Sequence, residues 1–381
     1  MEWEPPGPGQ WSMLSDHFVG SLTPAYRAVF RDTFTGGLRT TYARYGVPVD
    51  HIDVKWVNGH LYLRPVGLVA TTRTRPPPTP VVWLLCRLHP AFRRRTAAAR
   101  AALAERPWRG ETRRWYEEQR SAWERRNCAL QAEVPESLSD DALGAHLHRA
   151  VANWRDGYRL HFELHGPDLV PLGLLLARGE DWGLARAEVL DALRGSSPAS
   201  TGGSPALAEL RALVTASGER PSSLDDVRAI GPGAAALLER YLDDLGWRMT
   251  SSYDLDGRAL VELPSLVLAS ITTAGEADPS DSGDATPLRA RVPEPDRAEF
   301  DRLLDDARLT YGLRDDNSML TAAWPVGLVR RALLEAGRRL ATRGALHDAD
   351  HVFELLVDEV TDLLGGRSGL SASEAAHRAE E

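Results

Sequence analysis

The chain has 381 residues, 43% of them hydrophobic, enough to bury a core of two or three domains. That content, with only two cysteines, excludes disordered, collagen-like and disulfide-scaffold classes. A net charge of −9 gives no overall field for nucleic acid or anionic lipid, so neither a nucleic acid nor a membrane is an expected partner.

No uncharged apolar run reaches the roughly 18 residues of a membrane-spanning helix. The start, Met1-Glu2-Trp3-Glu4-Pro5, lacks the basic residues and apolar stretch of a signal peptide. Cys86 and Cys128 have no partner spacing and read as reduced thiols, so the expected location is the cytoplasm. Lys55 is the sole lysine of an Arg-, Ala- and Leu-rich chain, a bias that suggests a GC-rich bacterial genome. No Gly-Lys-Ser/Thr occurs, which excludes a P-loop, and Schiff-base chemistry would rest on Lys55 alone.

In chain order, the Pro/Gly-rich opening with Trp3, Trp11 and Phe18 reads as an extended surface segment. Residues 24–45 form a helical pattern, with Pro24 at the start and Gly46-Val47-Pro48 as the stop. Two alternating runs, 51–57 and 61–64, flank Asn58-Gly59 and predict a hairpin. Residues 72–80 are a stiff Pro-rich linker. From about 90 to 165 the pattern is helical, and Trp108, Trp115 and Trp123 recur on one face, a stripe that reads first as core packing. After a Gly/Ser-rich break at 196–204, helices are predicted at 205–217 and 232–246. Residues 272–293 read as a mobile loop. Helices resume at 295–311, 325–343 and 352–364, with a polar helical stub in the tail from 368. Within 325–343, Val326, Val329, Leu333, Ala336 and Leu340 make an apolar stripe bordered by Arg330, Arg331, Arg338 and Arg339. The expected fold is mainly α, a multi-helix protein with one small β-hairpin near the N-terminus. Its expected divisions are 1–80, a helical region at 81–271, the loop at 272–293 and a helical region at 294–381.

Few residues advertise chemistry. His161 and His165 lie four apart in a helical stretch, a spacing that can chelate zinc, but no third ligand is apparent and no metal is expected. They remain the candidate catalytic residues. The pairs Asp140-Asp141, Asp243-Asp244, Asp305-Asp306 and Asp315-Asp316 invite a magnesium-diphosphate reading, yet no second motif faces them, and they read as solvated helix ends. Ser15-Asp16-His17 is consecutive and cannot form a triad. Arg248 could fork to a carboxylate or phosphate of a ligand; its structural reading is an internal ion pair with Glu262 or Asp254.

The segment Gly327-Leu328-Val329-Arg330-Arg331 through Leu340, with Gly344-Ala345-Leu346, Asp350-His351-Val352-Phe353-Glu354-Leu355 and Asp358-Glu359-Val360, resembles the phosphoenolpyruvate-utilising enzymes. That family contains phosphoenolpyruvate synthase and rifampin phosphotransferase. Tyr311 to Asp316 and Tyr241 to Arg248 are similar to it too, although Trp247 stands where relatives more often carry histidine. So are Trp11 to Pro24 and the Val57 to Tyr62 hairpin.

The resemblance implies the helical central region alone. None of the eleven histidines has the family's phosphohistidine setting, and the Gly-rich loop and lysine of the ATP-grasp module are missing. The implied function is a substrate- or acceptor-binding module of a dikinase-type phosphotransferase system. No cofactor is expected in this chain; separate ATP-grasp and phosphohistidine proteins would bring ATP or phosphoenolpyruvate. The expected ligand is a small-molecule acceptor, of secondary metabolism, held by Trp115, Trp123, Trp154, Phe162, His165 and Arg248. The alternatives are a stand-alone biosynthetic enzyme on a repurposed fold and a structural or regulatory interaction protein.

Overall fold

The computed structural model describes residues 6–15, 17–18, 20–69, 78–197, 204–273, 283–367 and 369–380. The chain is mainly α, with one three-stranded antiparallel sheet of order β1-β3-β2, where β1 is Ser12–Met13, β2 Val49–Val57 and β3 His60–Gly67. The β2–β3 turn places Asn58 and Gly59 at φ of 48° and 77°, the left-handed pair that a two-residue hairpin turn requires.

Helix α1, Pro24–Tyr45, begins where Thr23 Oγ1 accepts from the Tyr26 amide at 3.3 Å, and it ends at Gly46 with φ 70°. A Cβ at Gly46 would meet the backbone of α3, Pro90–Glu105, so glycine serves both the turn and the close approach. Between them in sequence, α2 is Thr79–Leu88. Then come α4 (Pro107–Arg114), a π-helical segment at Trp115–Gln119, α5 (Arg120–Ala132), α6 (Asp140–Glu163) and α7 (His165–Asp181). Beyond these lie α8 (Arg186–Asp191), α9 (Pro205–Ser217), α10 (Leu224–Ala229), α11 (Pro232–Leu245), α12 (Pro264–Thr272) and α13 (Thr286–Arg291). The remainder is α14 (Arg297–Tyr311), α15 (Leu313–Ser318), a second π segment at Met319–Ala323, α16 (Trp324–Thr342), α17 (Val357–Leu364) and α18 (Ala372–Glu380).

The main core forms where α1, α6 and α16 bury their apolar stripes together. It draws Phe18, Tyr26 and Val54 from one end of the chain, Leu147 and Trp154 from α6, and Val329, Leu333 and Val360 from the other end. A second cluster joins Leu175, Val189, Leu288 and Phe300 across α7, α8, α13 and α14. A third joins Leu210, Val227, Leu238 and Val267 across α9 to α12. The stripe predicted on α16 is buried, and its arginines take internal partners: Arg330 bonds both oxygens of Glu262 at 2.7 Å, while Arg338 and Arg339 hold Glu335.

Four expectations need correction. Phe18 is buried beneath the sheet and α1 instead of lying on the surface, because its ring meets Tyr26 and Phe30 edge-on at 5.5 and 5.9 Å. Within 272–293, of which 274–282 lie outside the described residues, α13 forms at Thr286–Arg291 and buries Leu288. Predicted as one helix, 352–364 divides into a 3-10 turn at Ala349–Glu354 and α17, because Glu359 caps the Leu356 amide and starts a new helix there. The end of the 72–80 linker is already helical, since α2 starts at Thr79. Residues 70–77 and Trp3 lie outside the described residues, as does most of the 196–204 break. No helix among the described residues is long and apolar enough to cross a membrane.

Candidate functional site

A cavity of about 770 Å³ opens where α1, α6, α7 and the second π segment meet. Its depth is aromatic. Phe30 stacks on Phe34 at 4.9 Å, and Phe162 from α6 meets Phe34 edge-on at 4.9 Å. Behind them the hydroxyls of Tyr26 and Tyr158 share a 2.7 Å hydrogen bond, and burial pushes both phenols upward, Tyr26 well above its ordinary value. Nearer the opening, the His17 and Tyr253 rings stack at 5.9 Å.

The other end is polar and comes from a break between two helices. α6 stops at Glu163 and α7 restarts at His165 after the single residue Leu164. The restart keeps His161 and His165 side by side, ring centres 4.8 Å apart, and brings Asp168 one turn further on. Nδ1 of His165 lies 3.1 Å from Oδ2 of Asp168, whose side chain is fully buried. The other carboxylate oxygen, Oδ1, is buried without a hydrogen-bond partner among the described residues. Nδ1 of His161 accepts from the Asn317 side-chain amide at 3.0 Å. Burial, followed by the neighbouring charges of His165 and Arg314, holds His161 well below the ordinary imidazole range, so it is neutral. Arg314, Asp315 and Ser318 complete this end, and Arg314 forms no ion pair among the described residues.

The π segment supplies Met319 and Ala322 to the cavity wall. Its wider turn sets the Thr321 carbonyl against Gly157 of α6, where a Cβ would collide with it. One-turn π bulges recur at functional sites because they re-aim side chains within a helix.

Of the residues singled out from sequence, Phe162, His161 and His165 line the cavity together. The three tryptophans do not. Trp115 donates its indole N–H to Asp316 at 2.7 Å and packs with Trp123, Leu313 and Trp324 in a separate core cluster. Trp108 packs with Tyr45, so the stripe serves packing. Trp154 is fully buried behind the Tyr26–Tyr158 pair, 5.4 and 5.7 Å from those rings. Arg248 also lies elsewhere. Its guanidinium sits 4.8 Å over the Trp324 ring, and burial lowers its pKa to about 10. Neither expected ion pair forms: Arg330 occupies Glu262, and Asp254 accepts from the amide and hydroxyl of Thr23 at 2.6 and 2.7 Å.

Among the described residues, at least one carboxylate meets arginine in three of the four acidic pairs, Asp316 pairing with Arg120. Asp306 is buried between Arg106 and Arg109, and Asp140 holds Arg339 and Arg343. Among the described residues, no group of three or more His, Cys, Asp or Glu side chains is placed to hold a metal ion. Asp168 and Arg314 were not legible as site residues. His165-x-x-Asp168 is one helical turn, but Pro167 and Pro171 hide the helix that would have made that spacing meaningful. No protein-family model and no curated protein matches the chain.

Proposed function

We propose that this chain binds a small, largely aromatic molecule bearing a hydroxyl or anionic group, and that it does so as the acceptor-holding module of a phosphotransferase of the phosphoenolpyruvate-utilising type. The observation that carries the binding reading is the cavity, with one aromatic end and one end built from His161, His165, Asp168 and Arg314. The partnerless, buried Oδ1 of Asp168 supports it, because a donor group on a ligand would satisfy an oxygen that is otherwise costly to leave alone. In this reading His165, oriented by Asp168, takes the proton from an acceptor hydroxyl, and Arg314 attracts the anionic group. A separate cytoplasmic protein delivers the phosphoryl group from ATP or phosphoenolpyruvate. The assignment to that phosphotransferase type rests on the sequence resemblance alone.

A second reading, a self-sufficient enzyme, is favoured by the same His165–Asp168 pair, an imidazole backed by a buried carboxylate at 3.1 Å. A docking role for the arginines of α16 has less support, since Arg330, Arg338 and Arg339 already hold internal carboxylates.

Titration with 8-anilinonaphthalene-1-sulfonate, an aromatic anion, tests the binding reading. Saturable one-site fluorescence is expected, weakened about tenfold or more when Phe34→Trp fills the aromatic end. Arg314→Gln should weaken it as well. Fluorescence that does not saturate, or that survives both substitutions, would overturn the reading.

A further inference from the structure

Helix α2 buries none of its residues, although it is among the most apolar in the chain. Val81, Trp83, Leu84 and Leu88 are 42, 55, 49 and 68% exposed. Val81, Leu84 and Leu88 share a face by helical spacing, and Trp83 lies about 100° further round the helix from Leu84, on the side of Arg87. A single exposed leucine needs no explanation, but a contiguous set on one element does.

The charge around this helix is unlike that of the rest of the chain. From Thr79 to Ala104 there are five arginines and no aspartate or glutamate, in a protein of net charge −9. Arg95 turns inward, 3.6 Å from Asp50. The other four, Arg87, Arg93, Arg94 and Arg100, are exposed and form no ion pair among the described residues. Arg87 covers the Trp83 ring at 3.7 Å, holding a cation over an exposed indole. Just beyond this stretch the usual pattern returns, and Arg106 and Arg109 are paired with Asp306.

We propose that the α2–α3 face docks on an anionic lipid surface. Val81, Trp83, Leu84 and Leu88 enter the boundary between headgroups and acyl chains, while the four arginines meet lipid phosphates. An apolar helix with an exposed tryptophan, in a stretch whose exposed arginines are unpaired and which has no acidic residue, complements such a surface in both charge and hydrophobicity. A second copy of this chain fits less well, because pairing two such faces sets unpaired arginines against unpaired arginines. The net negative charge does not oppose the contact, since a surface responds to charges within a Debye length of about 8 Å at physiological ionic strength. Docking of this kind needs no spanning helix.

The test is co-sedimentation of the full chain with vesicles of phosphatidylcholine alone or mixed with phosphatidylglycerol. Sedimentation is expected with the mixed vesicles only and should fall as salt is raised. The double substitutions Leu84→Glu/Leu88→Glu and Arg93→Glu/Arg94→Glu should each lower the partition by about tenfold or more. All four side chains are exposed, so the melting temperature should hold. If either double variant melts early, Trp83→Ser and Arg87→Gln replace it. Sedimentation that is absent, indifferent to lipid charge or unchanged in the variants would overturn the proposal. So would a dimer that Leu84→Glu dissociates without affecting vesicle binding, which would assign the face to a second copy. Salt-sensitive binding to polyglutamate without vesicle binding would assign it to an acidic polypeptide and overturn the proposal equally.

Discussion

The side-chain amide of Asn317 donates to Nδ1 of His161 across 3.0 Å, which leaves the ring's own proton on Nε2. Thr321 Oγ1 lies 2.7 Å from both the Asn317 carbonyl and its Oδ1, so the donor is itself held in place from the π segment. The site therefore contains one histidine fixed in its neutral form beside another backed by a carboxylate.

His161 should not titrate across the physiological range. Its folded-state pKa is depressed below the ordinary imidazole value of about 6.5, so its contribution to stability is present above that pH and is lost as the pH falls. Imidazole NMR signals followed from pH 8 to pH 5 should show no protonation shift for His161. A midpoint near the ordinary value would contradict the burial argument.

Asp254 runs the opposite way. Burial raises its pKa to about 7, outweighing the hydrogen bonds from Thr23. A raised folded pKa means that the stabilising contribution is complete below the unfolded value near 4 and is lost as the pH rises through about 7. Urea unfolding of Asp254→Asn should lack this decline, a few kcal/mol at most, relative to the unsubstituted chain. Parallel stability curves for the two proteins would refute the assignment.

Two glycine substitutions make a paired test of packing. A Cβ at Gly327 would run into the carbonyl oxygen of Trp247, so Gly327→Ala should cost roughly 2–4 kcal/mol as α16 moves off that loop. Gly173, exposed in α7 with nothing near its missing Cβ, should tolerate alanine and gain about 0.5–1 kcal/mol from helix propensity. Thermal melts of the two variants should therefore shift in opposite directions.

Incubation with labelled phosphoenolpyruvate, or with ATP labelled at the β and γ positions, should leave the purified chain without an acid-labile adduct. Label on any of its eleven histidines would remove the need for a separate phosphohistidine protein. It would favour the self-sufficient enzyme.

Much of the scaffold was legible because local chemistry agrees with the final packing. Pro24 and Gly46 bracket α1, Asn58-Gly59 makes the hairpin turn, and Pro205 with Gly218 brackets α9. Elements were missed where the signal is tertiary or masked by proline. α7 carries Pro167 and Pro171, and the two π segments differ from α-helix only in hydrogen-bond register. Of the cavity's aromatic residues, Phe162 stands out in the sequence as a ligand-holding candidate, whereas Tyr26, Phe30 and Phe34 are only part of the helical pattern of 24–45. Which of them keep an uncovered face depends on how α1, α6 and α7 meet, and no spacing within one helix encodes that. The Trp108, Trp115 and Trp123 stripe packs into the core as its spacing implies, and Trp115, Trp123 and Trp154, also named as ligand-holding, are buried away from this cavity.

The cavity takes Leu14 and Phe34 from near one end of the sequence, Tyr158 and His165 from its middle, and Met319 and Ala322 from near the other. Its walls span residues 14 to 322, so no short fragment contains them all and the empty space exists only where distant parts of the chain pack together. A bound molecule would then act as a rivet through distant parts of the sequence. At a concentration 1,000 times its dissociation constant it would add about 4 kcal/mol to global stability. An unknown ligand could thus be sought without any assay of chemistry, by asking which compounds raise the temperature at which the entire protein, and not one helix pair, comes apart.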